Sequence, residues 1–142
     1  MVPGDNLHVT LAFLGSRPAG EVGEIAGALS GAAAGLEAPR LRVDAYRETR
    51  SVGMLALADD DGRAAILAER LHERLELLGA FRREKRPWLP HITVLRYRVP
   101  PGLRPPLPAL GEIAPSDAAV FISRLRSDGA QYEILETVPL GG

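Results

Sequence analysis

Leu7-His8-Val9-Thr10-Leu11-Ala12-Phe13-Leu14 and Pro90-His91-Ile92-Thr93-Val94-Leu95-Arg96-Tyr97 share one pattern: a histidine, a β-branched residue, a threonine and an apolar residue. Together they hold two of the three histidines in the chain and two of its four threonines. Both runs are apolar and β-branched and lie beside Gly15 or proline, which predicts two strands. Side chains alternate along a strand, so His8 and Thr10 share one face while Val9, Leu11 and Phe13 share the other. The same holds for His91 and Thr93 against Ile92. Strict alternation puts Arg96, five positions after His91, on the face away from the histidine.

Between the two runs the pattern switches period. Val22, Ile25, Ala26, Leu29, Ala33 and Leu36 fall at helical spacing over 21–36, with Pro39 as the stop. Leu41, Val43 and Ala45 alternate in a strand, Val52 to Ala58 gives another, and the polar segment Arg47 to Ser51 between them predicts a hairpin. After the acidic turn Asp59-Asp60-Asp61-Gly62, a second helix is predicted from Arg63 to Leu78. It has Leu67, Leu71, Leu75 and Leu78 on one stripe and Gly79 as its stop. His72 lies beside that stripe among charged residues and reads as a solvated or boundary helix position. The basic loop Arg82 to Arg86 precedes the second motif. Five prolines and Gly102 within 99–108 predict an extended surface connection. Ala118 to Arg126 and Gln131 to Val138 close the chain as two strands around a turn at Ser127-Asp128-Gly129-Ala130. The order is strand, helix, two strands, helix, strand, two strands, an α+β pattern in a single domain spanning 1–142.

Composition narrows the function. With 142 residues, 46% hydrophobic and 25% charged, the chain has the profile of an ordinary globular domain, and no apolar run approaches a membrane span. The N-terminus carries neither a basic leader nor a long apolar stretch, and there are no cysteines, which fits a cytoplasmic protein. Without cysteine there is no disulfide framework, thiolate metal site or cysteine nucleophile. A net charge of -1 gives no general affinity for nucleic acid, so any such binding must be local. Sixteen of the 17 basic residues are arginine and only Lys85 is lysine; in a chain rich in Ala, Gly and Pro this reads first as base composition.

Chemistry therefore rests on the paired motifs. Histidine titrates near neutral pH, so two of them can serve as base and acid in one turnover. A threonine two residues along the strand brings a hydroxyl to the same face, able to donate to a phosphoryl oxygen as charge builds. Either motif alone reads as an ordinary packed strand. Two copies read as one site, surrounding a phosphate and displacing at phosphorus in line. No cofactor is needed, and no metal is expected, since no third His, Cys or carboxylate stands at ligand spacing from either motif.

At these residues the sequence resembles the 2H phosphoesterase superfamily, and within it the bacterial and archaeal RNA 2',3'-cyclic phosphodiesterases, or 2'-5' RNA ligases, of LigT-like type. Asn6 to Gly15 is similar to the family's first motif region, Arg86 to Arg96 to its second, and Ser123 to Tyr132 to its closing hairpin. The resemblance implies two lobes of antiparallel sheet with helices around a central cleft. It also implies hydrolysis of RNA or nucleoside 2',3'-cyclic phosphates to 2'-phosphates. By that resemblance His91 activates water, His8 protonates the departing oxygen, Thr10 and Thr93 hold the phosphate, and Arg96 binds it as well. RNA ends or cyclic nucleotides would be the partners, and 2'-5' joining would be the reverse use of the same groups. Members of the family usually carry a strand and a helix ahead of the first motif, whereas only seven residues precede His8, so by the resemblance either the true start lies upstream or this version lacks that element. Phe13, Trp88, Tyr97 and Tyr132 are candidates for stacking on a base, with core packing the plainer role. Two other functions fit the same motifs: an RNA-binding module with impaired catalysis, and a phosphodiesterase for a small cyclic phosphate outside RNA.

Overall fold

The computed structural model describes residues 7–108, 111–126 and 129–141; at 123–126 and 129–131 it describes the backbone alone. Two antiparallel sheets and two helices make up the fold. The helices are α1 (Val22–Ala33), entered through a 3-10 turn at Ala19–Glu21, and α2 (Arg63–Leu77). Sheet A contains β1 (Leu41–Glu48), β2 (Val52–Ala58), β3 (His91–Arg96) and the short β4 (Glu112–Ile113), in the order β3-β2-β1-β4. Sheet B is the long hairpin of β5 (Asp117–Arg126) and β6 (Gly129–Pro139). This is the α+β architecture expected of the sequence. Gly129 and Ala130 belong to β6, whereas Ser127 and Asp128 of the predicted turn lie outside the described residues.

Two apolar clusters hold the elements together. The larger joins Ile25, Ala28, Leu29, Ala32 and Ala33 of α1 to Leu67, Leu71 and Leu75 of α2, with Val120 of β5 and Val138 of β6 packed on it. Three leucines of the stripe read from the sequence, Leu67, Leu71 and Leu75, are thus on the face that α2 buries, with Leu75 fully enclosed, whereas Leu78 follows the end of the helix and is exposed. The smaller cluster lies under sheet A, where Leu41, Leu57 and Ala64 meet Val9, Val43, Trp88, Ile92 and Ile113. Helix α2 therefore contributes to both cores, through Ala64 at its first turn and the leucines beyond.

The turn before α2 explains its acidic composition. Gly62 takes a positive φ of 73° and has no side chain to cap the helix, so Asp59 reaches forward instead. Its two carboxylate oxygens accept the N–H groups of Ala64 at 3.1 Å and Ala65 at 2.8 Å. Asp60 pairs with Arg42 and Asp61 with Arg63. At Gly53 of β2 a Cβ would overlap the Tyr46 hydroxyl, so a larger residue there would displace the Tyr46 ring.

One predicted strand is not formed. Of residues 7–14 only Val9 makes a β-bridge, antiparallel to Ile92 of β3. Beyond Thr10 the chain leaves the sheet to lay Leu11, Ala12 and Leu14 on the helices. Consecutive residues on one apolar cluster are incompatible with strand alternation, and Phe13 is left 79% exposed. Among the described residues no helix is long and apolar enough to cross a membrane.

Candidate active site

The bridge between Val9 and Ile92 fixes the relation of the two motifs. Both side chains point into the smaller core. One step to either side, the antiparallel register sets His8 beside Thr93 and Thr10 beside His91, all four on the opposite face. Each histidine thus neighbours the threonine of the other motif. Residues directly opposite on an antiparallel pair have Cβ atoms about 4.5–5.5 Å apart, which brings each histidine near the threonine of the other motif.

The first motif is held by side chains where the sheet hydrogen bonds are missing. The Trp88 indole N–H donates to the carbonyl of Thr10 at 3.0 Å, and His72 Nε2 donates to the carbonyl of Leu11 at 2.7 Å. Neither role was legible beforehand. His72 is 7% exposed and its ring lies 4.8 Å from that of Phe81, which overturns its reading as a solvated or boundary position. The sequence showed its charged neighbours on α2; only the fold brings the carbonyl of Leu11 to it.

His91 and His8 differ in surroundings. His91 Nδ1 lies 3.0 Å from the carbonyl oxygen of Leu89. A carbonyl only accepts, so the neutral ring carries its proton on Nδ1 and keeps a lone pair on Nε2. That is the tautomer a general base needs. The His8 ring packs edge-on against both Phe121 of β5, at 5.2 Å, and Tyr132 of β6, at 5.1 Å, and these two are edge-on to each other at 5.3 Å, so the three rings form a triangle. Sheet B thereby supplies a wall beside the His/Thr face of sheet A. Phe121 had no signal in the sequence beyond strand alternation. Of the other proposed stacking residues, Trp88 is engaged with Thr10, and the Tyr97 hydroxyl is turned to the carbonyls of Thr49 and Val52.

Arg96 requires a correction to the alternation argument. In the β2–β3 ladder Met54 is opposite Thr93 but Gly53 is opposite Leu95, so Val94 is an extra residue in β3. A bulge of one residue reverses the parity beyond it. Arg96, opposite Val52, therefore returns to the face of His91 and Thr93. The basic loop is also modified by the fold: Arg83 is drawn to Glu69 at 2.7 Å and Glu76 at 2.6 Å, leaving Arg82, Lys85 and Arg86 exposed. Among the described residues no three His, Cys, Asp or Glu side chains are grouped to hold a metal ion.

Comparison with known proteins places the chain in a family. The family model described as the 2'-5' RNA ligase superfamily matches residues 1–128. The chain is 35% identical to an RNA 2',3'-cyclic phosphodiesterase of Thermus thermophilus over 155 aligned positions, covering 99% of this chain and 75% of that protein. The crystal structure of a Thermus thermophilus protein superposes with a TM-score of 0.79 at 33% identity, over 98% of this chain and 80% of the other. The apo form of E. coli LigT gives a TM-score of 0.81 at 25% identity, over 99% and 80%. The chain belongs to the 2'-5' RNA ligase superfamily, the LigT-like branch of the 2H phosphoesterases.

Proposed function

We propose that the protein hydrolyses RNA or nucleoside 2',3'-cyclic phosphates to 2'-phosphates without a metal ion, using His8, His91, Thr10, Thr93 and Arg96. The observation that carries this reading is the register around Val9 and Ile92, with the two histidines and two threonines on one face. The similarity to the Thermus thermophilus phosphodiesterase supports the substrate class.

In this mechanism His91 Nε2 takes a proton from water as the water oxygen bonds to phosphorus. The P–O3' bond breaks on the opposite side, and His8 delivers its proton to the departing 3'-oxygen. The product is a 2'-phosphate with a free 3'-hydroxyl, and exchange with solvent returns both rings to their starting states. Thr10 and Thr93 donate hydroxyl hydrogen bonds to the non-bridging oxygens, and Arg96 adds a charged fork. With a 5'-hydroxyl in place of water, the same two transfers yield a 2'-5' linkage.

The test is turnover of a 2',3'-cyclic nucleotide in EDTA by the wild type, His8→Ala and His91→Ala, with the product's phosphate position assigned by NMR. We expect a 2'-phosphate and a loss of about 10²–10⁴ in kcat for each substitution. A folded wild type that binds RNA ends without turnover would instead identify a binding module. A 3'-phosphate product would sink the assigned roles of the two histidines.

A further inference from the structure

The His/Thr face of sheet A extends past the reactive centre. Opposite residues in successive ladders form rows on a single side of the sheet. One row runs from Thr10 and His91 through Ala56 to Ala45, and the next from His8 and Thr93 through Met54 to Arg47. Neighbouring strands are about 4.8 Å apart, so the backbone of Arg47 is roughly 10 Å from that of Thr93, with Met54 between them and Ala56 and Ala45 in the row beside it. None of Ala45, Ala56, Met54 or Thr93 belongs to either apolar cluster.

Charge at this end is distributed unevenly. Arg17, Arg40, Arg42, Arg63 and Arg83 each pair with a carboxylate, while Arg70, Arg74, Arg82, Lys85, Arg86 and Arg104 are exposed without an ion pair among the described residues, on other parts of the chain. Arg47 and Arg96 are exposed and form no ion pair among the described residues, and the same is true of Arg50 in the β1–β2 turn and Arg98 beyond β3. These four share one end of the sheet, since Arg96 is opposite Val52 and the N–H of Tyr97 donates to the Ser51 carbonyl at 3.1 Å. Glu48, next to Arg47 in sequence, lies opposite Gly53 and thus on the other face. There its carboxylate accepts from the Tyr46 hydroxyl at 2.9 Å and from the N–H groups of Gly102 and Leu103 at 2.9 and 3.0 Å. A carboxylate that would neutralise the patch is held away from it.

We propose that Arg47, flanked by Arg50 and Arg98, binds the next backbone phosphate of an RNA strand whose terminal cyclic phosphate lies between His8 and His91. The inference rests on the phosphodiesterase reading and specifies its substrate as an oligonucleotide end. A 2',3'-cyclic phosphate is the 3' terminus of its strand, so every further phosphate lies on the 5' side, and the row through Met54, beside Ala56 and Ala45, leads to a guanidinium. A cyclic mononucleotide has no phosphate to place there.

The experiment compares kcat/KM for a tetranucleotide ending in 2',3'-cyclic phosphate with that for the cyclic mononucleotide, in the wild type, Arg47→Ala and Arg70→Ala, at two salt concentrations. Arg70 is an exposed α2 residue and controls for loss of net charge. In Arg47→Ala the tetranucleotide-to-mononucleotide ratio is expected to fall about tenfold, with a shallower salt dependence for the longer substrate. An unchanged ratio, or an equal fall in Arg70→Ala, overturns the inference. If the wild type turns over neither substrate, the catalytic reading fails separately, and affinity for a labelled tetranucleotide ending in 2'-phosphate decides the question. Binding about tenfold weaker in Arg47→Ala than in Arg70→Ala upholds the Arg47 site, and equal binding refutes it.

Discussion

Two side-chain donors substitute for a strand at the first motif. Neither residue 10 nor residue 11 forms a β-bridge of its own, yet their carbonyls accept from Trp88 and His72. Since Trp88 comes from the loop just before the second motif and His72 from α2, the position of His8 and Thr10 depends on both. Trp88→Phe keeps an aromatic ring but removes the N–H, and His72→Leu leaves the Leu11 carbonyl without its partner. Each should lower stability by about 1–3 kcal/mol in urea unfolding, the usual cost of abandoning a partly buried polar group. Each should also reduce kcat more than it raises KM, because a displaced Thr10 is missed most as charge develops. Full activity in both variants would show that the motif holds its place without these tethers.

At the level of elements, small departures from regularity decide where side chains go. The extra residue Val94 in β3 moves Arg96 across the sheet, and counting residues in the sequence gives the wrong face for that reason. Helix α2 begins without a capping side chain at Gly62, and Asp59, three residues upstream, performs that task. Asp59→Ala should therefore cost about 1 kcal/mol in thermal or urea unfolding, whereas the same change at Asp60, exposed and paired only with Arg42, should cost less than about half of that. Equal losses would mean that the turn is stabilised by its charge rather than by the cap. Both helices, the β1–β2 hairpin and the leucine stripe were legible from period and punctuation. Strand β4 was not, since two residues carry no period.

Across the molecule, the Glu48 carboxylate fastens the proline-rich connection to sheet A. Burial pushes the Glu48 carboxyl up, but the N–H of Leu103, the Tyr46 hydroxyl and the N–H of Gly102 together hold it below its ordinary value of 4.5. The Tyr46 hydroxyl is in turn pushed up to about 12, by burial first and then by its bond to Glu48. A carboxyl depressed in the folded state stabilises it above the unfolded value, and that contribution disappears as pH falls through the folded one. The amide proton signals of Gly102 and Leu103 should accordingly shift together in acid, with a midpoint below 4.5, and Glu48→Gln should abolish the step. Signals that do not titrate with Glu48 would detach the connection from this carboxylate.

The sequence by itself determined the α+β class, the two helices and their buried face, and the identity of the paired His-x-Thr motifs, because period and composition are local properties. Tertiary structure alone decided which residues of the two motifs are neighbours, through one bridge between Val9 and Ile92. It also decided that His72 is buried, that Phe121 and Tyr132 flank His8, and that Arg96 and Arg47 share the face of the two histidines. Each of these depends on a register, a bulge or a long-range hydrogen bond, and such relations join residues tens of positions apart that leave no periodic trace in the chain.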